Sequence, residues 1–364
     1  MYAERLARAR ARMGELGVDV LLLSTGADLP YLTGYEAMPL ERLTMLVVPA
    51  DADAVLVIPT LEAPRVAAQP DAFELFSWDE TDDPIEIVAG LVAGIDPGAT
   101  SAAIGDHTWA RFVLDLQRAL PEVEFRRATD VTGPLRVVKD AAEIDALRVA
   151  AAVVDDVARV MRERPFAGRT ELDVHRELVE RMLEGGHERA NFAIVAAGAN
   201  AASPHHDPSE RVIERDDVVL CDFGGTMRGY CSDITRMFVV GDVDPEVRDA
   251  YDVLVAAQEA GVQAATVGTS CEAVDAAARA VIDEAGYGEY FVHRTGHGIG
   301  TEAHEDPYVV AGNRTALVAG HAFSVEPGIY LPGRFGLRLE DIVIATDAGP
   351  ERLNHAARDL AIVD

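Results

Sequence analysis

Two aspartates, Asp222 and Asp233, lie in the apolar and Gly-rich segment VVLCDFGGTMRGYCSDITRMFVV at residues 218–240. The two β-branched runs around a Gly-rich centre predict an antiparallel hairpin with its turn at Met227 and Arg228. Such a turn would place the two carboxylates opposite each other, about 5 Å apart. This like-charge pair is unfavourable unless a cation lies between the carboxylates or water solvates them. The hairpin alone therefore indicates either a metal site or a solvated pair on an exposed face.

Four further stretches place ligand-type side chains inside apolar or Gly-rich sequence. They are SPHHDP with His205 and His206, HRTGHGIGTEAHEDP with His293, His297 and His304, FSVEPGIYLP with Glu326, and GLRLEDIVIA with Glu340. A single His or Glu in such a place is more often a satisfied core or edge residue than a ligand. A combination of four carboxylates and one imidazole, however, suits divalent ions such as Mn²⁺, Co²⁺ or Zn²⁺. The five candidate ligands are Asp222, Asp233, His297, Glu326 and Glu340.

The charge balance argues against polyanionic partners. The 364 residues include 32 basic and 62 acidic side chains, which gives a formal charge of −30. Nucleic acids are bound by clustered Lys and Arg, so we expect no nucleic-acid partner. The sequence contains no run of about 18 apolar residues and no apolar N-terminal segment, which predicts a cytoplasmic protein without a membrane partner. The three cysteines are expected to be reduced and buried.

The elements that would position the candidate ligands lie in the second of two predicted domains. Residues 1–132 alternate strand patterns such as VDVLLLS with helical patterns such as WARFVLDLQRAL, which indicates an α/β domain. The segment DVTGPLRVVKD supplies a Gly- and Pro-containing boundary, so the second domain is predicted at residues 133–364. There, amphipathic helices, one with a predicted N-cap at Thr170, alternate with antiparallel strands, which indicates an α+β domain.

The ordered motifs CDFGG, CSDITR, HRTGHGIG, SVEPGIY and LRLED resemble those of the pita-bread metallopeptidases, the family of methionine aminopeptidase, aminopeptidase P, prolidase and creatinase. The resemblance covers roughly residues 140–364. It implies an α/β creatinase-like N-terminal domain followed by an α+β pita-bread catalytic domain. Methionine aminopeptidases lack the first domain, and creatinase and the histone-chaperone relatives lack the full metal set. The proline-directed peptidases are therefore favoured.

The resemblance also implies a role for each candidate ligand in a site with two divalent ions, of which Mn²⁺ is favoured over Co²⁺ or Zn²⁺. Asp222 would bind one ion through both oxygens, and Asp233 and Glu340 would bridge the two ions. His297 and Glu326 would bind the other ion. A water shared by the ions would be the nucleophile, and Glu326 would take its proton and pass it to the leaving nitrogen.

Three histidines and one arginine are further candidates for the site. The resemblance implies that His205 and His304 bind the substrate and donate hydrogen bonds to its carbonyl oxygen in the transition state. His293 is a further substrate-binding candidate, whereas His206 is predicted to be a flanking residue. Arg338 would hold the site's carboxylates or bind a substrate carboxylate. A purely structural ion pair is the alternative for Arg338.

We therefore expect a metallo-exopeptidase that cleaves the bond between an N-terminal residue and proline in small peptides. The resemblance further implies a homodimer. An Xaa-Pro dipeptidase is favoured over an Xaa-Pro aminopeptidase that accepts longer peptides, and hydrolysis of another small amide is a further alternative. A non-catalytic peptide-binding module is disfavoured because it would leave four carboxylates without a cation.

A Tyr-rich loop of the first domain, LPYLTGYEAMPLER at residues 29–42, is the candidate for a lid. We expect Tyr35 to offer a flat apolar surface for a proline ring. Arg42 is expected to bind the carboxylate of a dipeptide, because recognition of that charge by so acidic a chain requires a local cation.

Overall fold

A computed structural model describes residues 1–95 and 97–364 of the chain. The chain divides into two compact units, Met1–Arg136 and Val137–Asp364. The boundary predicted at residue 132 falls inside a helix, Thr129–Val137, which contains Pro134. Burial of Val131 and Leu135 in the core of the first unit accounts for helix in this Gly- and Pro-containing segment. Within the described residues, no helix is long and apolar enough to cross a membrane.

The first unit is an α/β structure built on a six-stranded sheet. Its elements in chain order are α1 Tyr2–Leu16, β1 Val20–Leu23, α2 Asp28–Thr33, β2 Met45–Pro49, β3 Ala54–Pro59, β4 Phe73–Trp78, α3 Pro84–Ile95, β5 Ser101–Ile104, α4 Ala110–Ala119, β6 Glu124–Arg127 and α5 Thr129–Val137. The strand order is β4-β3-β2-β1-β5-β6. All four residues of the inner strand β1 are buried, which explains its continuous apolar sequence.

Three elements of this unit depart from the sequence-based prediction. The predicted loop at residues 29–42 begins inside helix α2, which ends at Gly34 in a left-handed conformation. Strands β4 and β6 were not predicted. Both are edge strands with mostly exposed side chains, so their sequences show little of the apolar periodicity that marks a buried strand.

The second unit is an α+β structure, as predicted. Its elements are α6 Ala141–Met161, α7 Glu171–Glu184, β7 Arg189–Ala197, β8 Val218–Met227, β9 Tyr230–Cys231, β10 Ile234–Val240, α8 Pro245–Ala264, α9 Cys271–Glu284, β11 Gly296–Gly298, β12 Glu305–Val309, β13 Ala322–Val325, β14 Gly328–Leu331, β15 Phe335–Arg338, β16 Asp341–Thr346, β17 Gly349–Arg352 and β18 Ala361–Val363. Thr170 caps α7 in a reciprocal capping box with Asp173, which confirms the predicted helix start.

The candidate ligands lie in the strands of two sheets of this unit or directly beside the ends of those strands. The first has the order β18-β10-β8-β7, and the second has the order β12-β11-β13-β16-β17. Alternate residues of β8, including Val219, Cys221 and Phe223, share a core with helices α6 and α7. Asp222 lies between two of these residues in an extended strand and therefore points to the opposite face.

The hairpin register differs from the prediction by two residues. Met227 pairs with Tyr230, so the turn residues are Arg228 and Gly229, both with positive φ (53° and 76°). A two-residue turn of this kind needs positive φ at both positions, and glycine at the second position meets that need. Asp222 consequently lies opposite Thr235 rather than opposite Asp233. A shift of two preserves the face on which each side chain lies, whereas a shift of one would reverse it.

Candidate active site

Three carboxylates converge beside the hairpin. Asp222 lies in β8, Asp233 lies between β9 and β10, and Glu340 immediately precedes β16. All three are buried, with exposed fractions of 8%, 2% and 1%. One oxygen of each lies within 4.8 Å of the others. The predicted proximity of the two aspartates is therefore present although they are not direct cross-strand partners.

His297 projects from the short strand β11, between Gly296 and Gly298. A Cβ atom at either glycine would lie about 2 Å from a backbone oxygen, of Ser324 or Asp306, so the neighbouring strands can approach only glycine. The ring Nδ1 of His297 lies 3.1 Å from the carbonyl oxygen of Gly298. Donation from Nδ1 leaves the Nε2 lone pair available as a metal ligand.

Glu326 completes a second group of donors. Its Oε1 lies 3.1 Å from His297 Nε2 and accepts a hydrogen bond from Ser324 Oγ at 3.0 Å. His297, Glu326 and Glu340 offer donor atoms within 4.8 Å of one another. Glu340 thus belongs to both groups, which is the arrangement expected of a ligand shared by two ions.

The unpartnered oxygens of these carboxylates fit a metal centre. Asp222 Oδ1, Asp233 Oδ1 and Glu340 Oε1 are buried and have no hydrogen-bond partner. Burial and mutual repulsion raise the pKa of Asp233 and Glu340 well above the ordinary carboxyl value, and burial also raises the pKa of Asp222. Bound cations would satisfy the oxygens and offset the repulsion, so the residues present fit two divalent ions.

Arg338 connects the centre to its surroundings. Its guanidinium donates to Asp222 Oδ2 at 2.5 Å, to the Tyr330 hydroxyl at 2.8 Å and to the Pro204 carbonyl at 3.2 Å. The side chain is buried among these partners. Of the two predicted roles, the geometry favours holding the site's carboxylates over binding a substrate carboxylate.

A cavity of about 370 Å³ opens onto the candidate ligands, and His205 and His304 both line it. Both side chains are exposed. The ring of His304 lies 3.9 Å from that of His297, measured between centroids. A ring nitrogen of His304 is also within 4.8 Å of donor atoms of Asp233 and His297. The structure therefore brings both histidines to the pocket and leaves His304 close enough to be an additional ligand.

His293 lines the same cavity, but its ring nitrogens already have partners. Nδ1 lies 2.7 Å from the Arg294 carbonyl oxygen and therefore carries the proton. The Tyr330 hydroxyl, 2.9 Å from Nε2, then donates to that nitrogen. Burial lowers the pKa of His293 and favours this neutral form. A role in holding Tyr330 and Arg338 explains His293 better than direct donation to substrate.

Arg294 lines the cavity and was missed in the sequence-based prediction. Its guanidinium stacks 4.3 Å from the centroid of the Tyr308 ring, and in the described part of the chain no carboxylate pairs with it. The residue is half-buried. Arg294 could not be identified from the sequence, because the neighbouring His293 and His297 were sufficient to explain the HRTGHGIG motif as part of a site.

The two candidates in the first unit have partners of their own. Tyr35 is 6% exposed and packs in the core of that unit, so little of its ring can meet a proline. Arg42 forms ion pairs with Glu41 at 3.0 Å and Glu80 at 2.7 Å. The predicted lid surface at Tyr35 is therefore largely covered, whereas the role of Arg42 stays a prediction.

Comparison with known protein families identifies both halves of the chain. Residues 144–347 match the model of metallopeptidase family M24, and residues 5–138 match the creatinase/prolidase N-terminal domain. These matches confirm the predicted order of a creatinase-like domain and a pita-bread catalytic domain.

Individual relatives are similar over nearly the whole chain. The chain is 44% identical to a probable dipeptidase, PepE, of Mycobacterium bovis, over 100% of this chain and 97% of the relative. It is 34% identical to an Xaa-Pro dipeptidase of Lactobacillus helveticus, over 95% of each chain. A crystal structure of the prolidase from Thermococcus sibiricus superposes with a TM-score of 0.95 at 36% identity, covering 100% of this chain and 99% of that one.

Proposed function

The chain belongs to metallopeptidase family M24, and we propose that it is a dinuclear Xaa-Pro dipeptidase. The observation that carries the proposal is the sharing of Glu340 by two groups of donors, Asp222 with Asp233 and His297 with Glu326. A ligand set dominated by carboxylates with a single imidazole favours Mn²⁺ among the candidate ions.

The residues around the cavity have distinct proposed tasks. When bound, two divalent ions would supply a water nucleophile at neutral pH and polarise the scissile carbonyl. The Glu326 carboxylate takes the proton of the attacking water and delivers it to the proline nitrogen. His205 and His304 donate hydrogen bonds to the carbonyl oxygen as negative charge develops on it. Arg338 holds Asp222 Oδ2 and so orients this carboxylate.

The preference for dipeptides is proposed from the relatives and from one cation. The similar proteins named as dipeptidases or prolidase match 95% to 100% of this chain. A dipeptide carries a carboxylate directly after proline, and Arg294 offers a guanidinium on the cavity wall without a carboxylate partner among the described residues. We assign Arg294 the recognition of that charge in place of Arg338, whose donors already have partners.

A side-by-side assay tests this function. Purified protein, stripped of metal and reconstituted with Mn²⁺, Co²⁺ or Zn²⁺, is given Leu-Pro and Leu-Pro-Ala, and metal equivalents are measured on the same samples. We expect two equivalents and a kcat/KM at least about tenfold higher for the dipeptide, the scale of one charge-assisted contact. Faster cleavage of the tripeptide would instead support the aminopeptidase alternative. Sedimentation equilibrium on the same preparation measures the oligomeric state, for which we propose a homodimer.

A further inference from the structure

Glu171 is a fully buried carboxylate outside the candidate metal ligands, with an exposed fraction of 0%. It is the first residue of helix α7. An acidic residue at this position is ordinarily an exposed part of a helix N-terminus, where it interacts with the helix dipole. Its burial means that its charge must be satisfied by other partners.

Five hydrogen bonds satisfy that charge, and all come from residues 197–209, which comprise the last residue of β7 and the loop that follows it. Oε1 accepts from the Ala197 amide at 2.8 Å and from Asn200 Nδ2 at 3.0 Å. Oε2 accepts from His206 Nε2 at 2.9 Å and from Ser209 through its amide at 3.0 Å and its hydroxyl at 2.6 Å. Although burial alone would raise it, these donors hold the pKa of Glu171 below its ordinary value.

The five donors lie on both sides of His205 in the chain. Ala197 and Asn200 precede it, whereas His206 and Ser209 follow it. The loop therefore leaves β7, passes His205 and returns to the same carboxylate. The Pro204 carbonyl accepts a further hydrogen bond from Arg338 at 3.2 Å. His205 itself remains exposed on the cavity wall.

We propose that Glu171 is a positioning residue that holds His205 at the substrate cavity by tying both sides of its loop to one buried carboxylate. The inference rests on the proposed function of His205 as a donor to the substrate carbonyl. It also explains why His206 is not a second substrate residue, since its ring is used to close the loop. A displacement of about 1 Å at a catalytic donor is enough to lower turnover strongly.

Glu171→Gln tests the proposal because the amide keeps the size of the side chain but replaces one acceptor oxygen with an NH₂ group. This group cannot accept the hydrogen bonds that the oxygen accepted. We expect kcat to fall at least about tenfold with KM changed less than about twofold, as for a contact made in the transition state. In a His205→Ala background the same change should have less than about a twofold further effect, because residues that act together are not additive. Equal losses in both backgrounds would overturn the proposal.

The matched control is Glu177→Gln on the same helix. Glu177 binds Arg164, Arg169 and Arg181 rather than the His205 loop. The Glu177→Gln variant should leave kcat unchanged although it removes one negative charge from α7, as Glu171→Gln does. If Glu171→Gln does not fold, Ser209→Ala removes the shortest of the five hydrogen bonds and is assayed in its place, with a kcat loss expected only when His205 is present.

Hydrogen exchange of the metal-free protein separates this proposal from the proposed function. Glu171→Gln should speed amide exchange in residues 197–209 relative to wild type, and Glu177→Gln should not. Unchanged exchange in that segment would overturn the positioning role whatever the substrate proves to be. If Xaa-Pro peptides are not cleaved but the loop exchanges faster, the anchoring of the loop stands and the assigned reaction is wrong.

Discussion

Thr235 donates its hydroxyl to Glu340 Oε2 over 2.7 Å, and the two residues also form an isolated antiparallel bridge. The same hydroxyl accepts a hydrogen bond from Arg338 Nε at 3.2 Å. Thr235 therefore fixes one oxygen of Glu340 and directs the other, Oε1, into the cluster where it has no partner. The hairpin thus orients a carboxylate contributed by a different sheet.

Thr235→Val removes this hydroxyl while keeping a β-branched side chain. We expect the affinity for Mn²⁺ to fall by about 10- to 100-fold, as for other residues that orient a metal ligand. Metal titration of the stripped protein measures the change. Thr226→Val is the matched control, because Thr226 is equally buried in the same hairpin but bonds Asn191 Oδ1. Equal losses of affinity in the two variants would show a general effect of the hairpin instead.

Asp233→Asn tests whether the converging carboxylates bind metal. The amide has nearly the same shape but lacks the negative charge, so the fold should persist while at least one metal equivalent and measurable turnover are lost. Mn²⁺ should also raise the thermal unfolding temperature of the variant less than that of the wild type, because this stabilisation depends on metal bound to the native state. Two full equivalents with normal turnover in this variant would end the dinuclear hypothesis.

His205 and His304 should differ from the metal ligands when each is replaced by alanine. Because both histidines are proposed to donate to the substrate carbonyl and not to bind metal, each variant should retain metal while kcat/KM falls by about 10² or more. His304 lies close enough to Asp233 and His297 to be an extra ligand. Loss of metal from His304→Ala alone would therefore move this residue from the substrate-binding group to the ligands.

Acid unfolding should report on Glu259, far in sequence from the candidate ligands. Hydrogen bonds from Gln263, Arg352 and Arg358 lower its pKa to about 2. A carboxyl group with a lowered native pKa stabilises the fold above its unfolded pKa of about 4.3, and this contribution is lost as the pH falls toward 2. Glu259→Gln should therefore lose less stability than wild type between about pH 4.3 and pH 2, measured by urea unfolding at each pH.

The candidate site was more predictable than the contacts that support it. Asp222 and Asp233 could be identified because strand alternation is unaffected by a register error of two residues. Glu171 could not, because an acidic residue at a helix start has a sufficient local explanation, and the four residues that donate its five hydrogen bonds lie 26 to 38 residues away in sequence. Strands β4 and β6 were missed because edge strands bury too few side chains to show an apolar pattern in the sequence.

Arg294 and Arg42 are alternative cations for the carboxylate of a dipeptide. Arg294 lines the cavity and stacks on Tyr308, whereas Arg42 already pairs with Glu41 and Glu80. A guanidinium without a carboxylate partner gains more from a substrate charge than one that must first give up an ion pair. We therefore expect Arg294, rather than Arg42, to distinguish a free carboxylate from an amide.

The measurement compares Leu-Pro with Leu-Pro amide in Arg294→Ala and Arg42→Ala. Arg294→Ala should lower kcat/KM for the free dipeptide at least about tenfold more than for the amide, since only the dipeptide carries the charge, and a charge-assisted hydrogen bond contributes about 1.5 to 3 kcal/mol. Arg42→Ala should affect the two substrates equally. If Arg42→Ala instead lowers kcat/KM more for the free dipeptide than for the amide, Arg42 binds the carboxylate. If each variant loses the same factor on both substrates, neither cation binds the carboxylate.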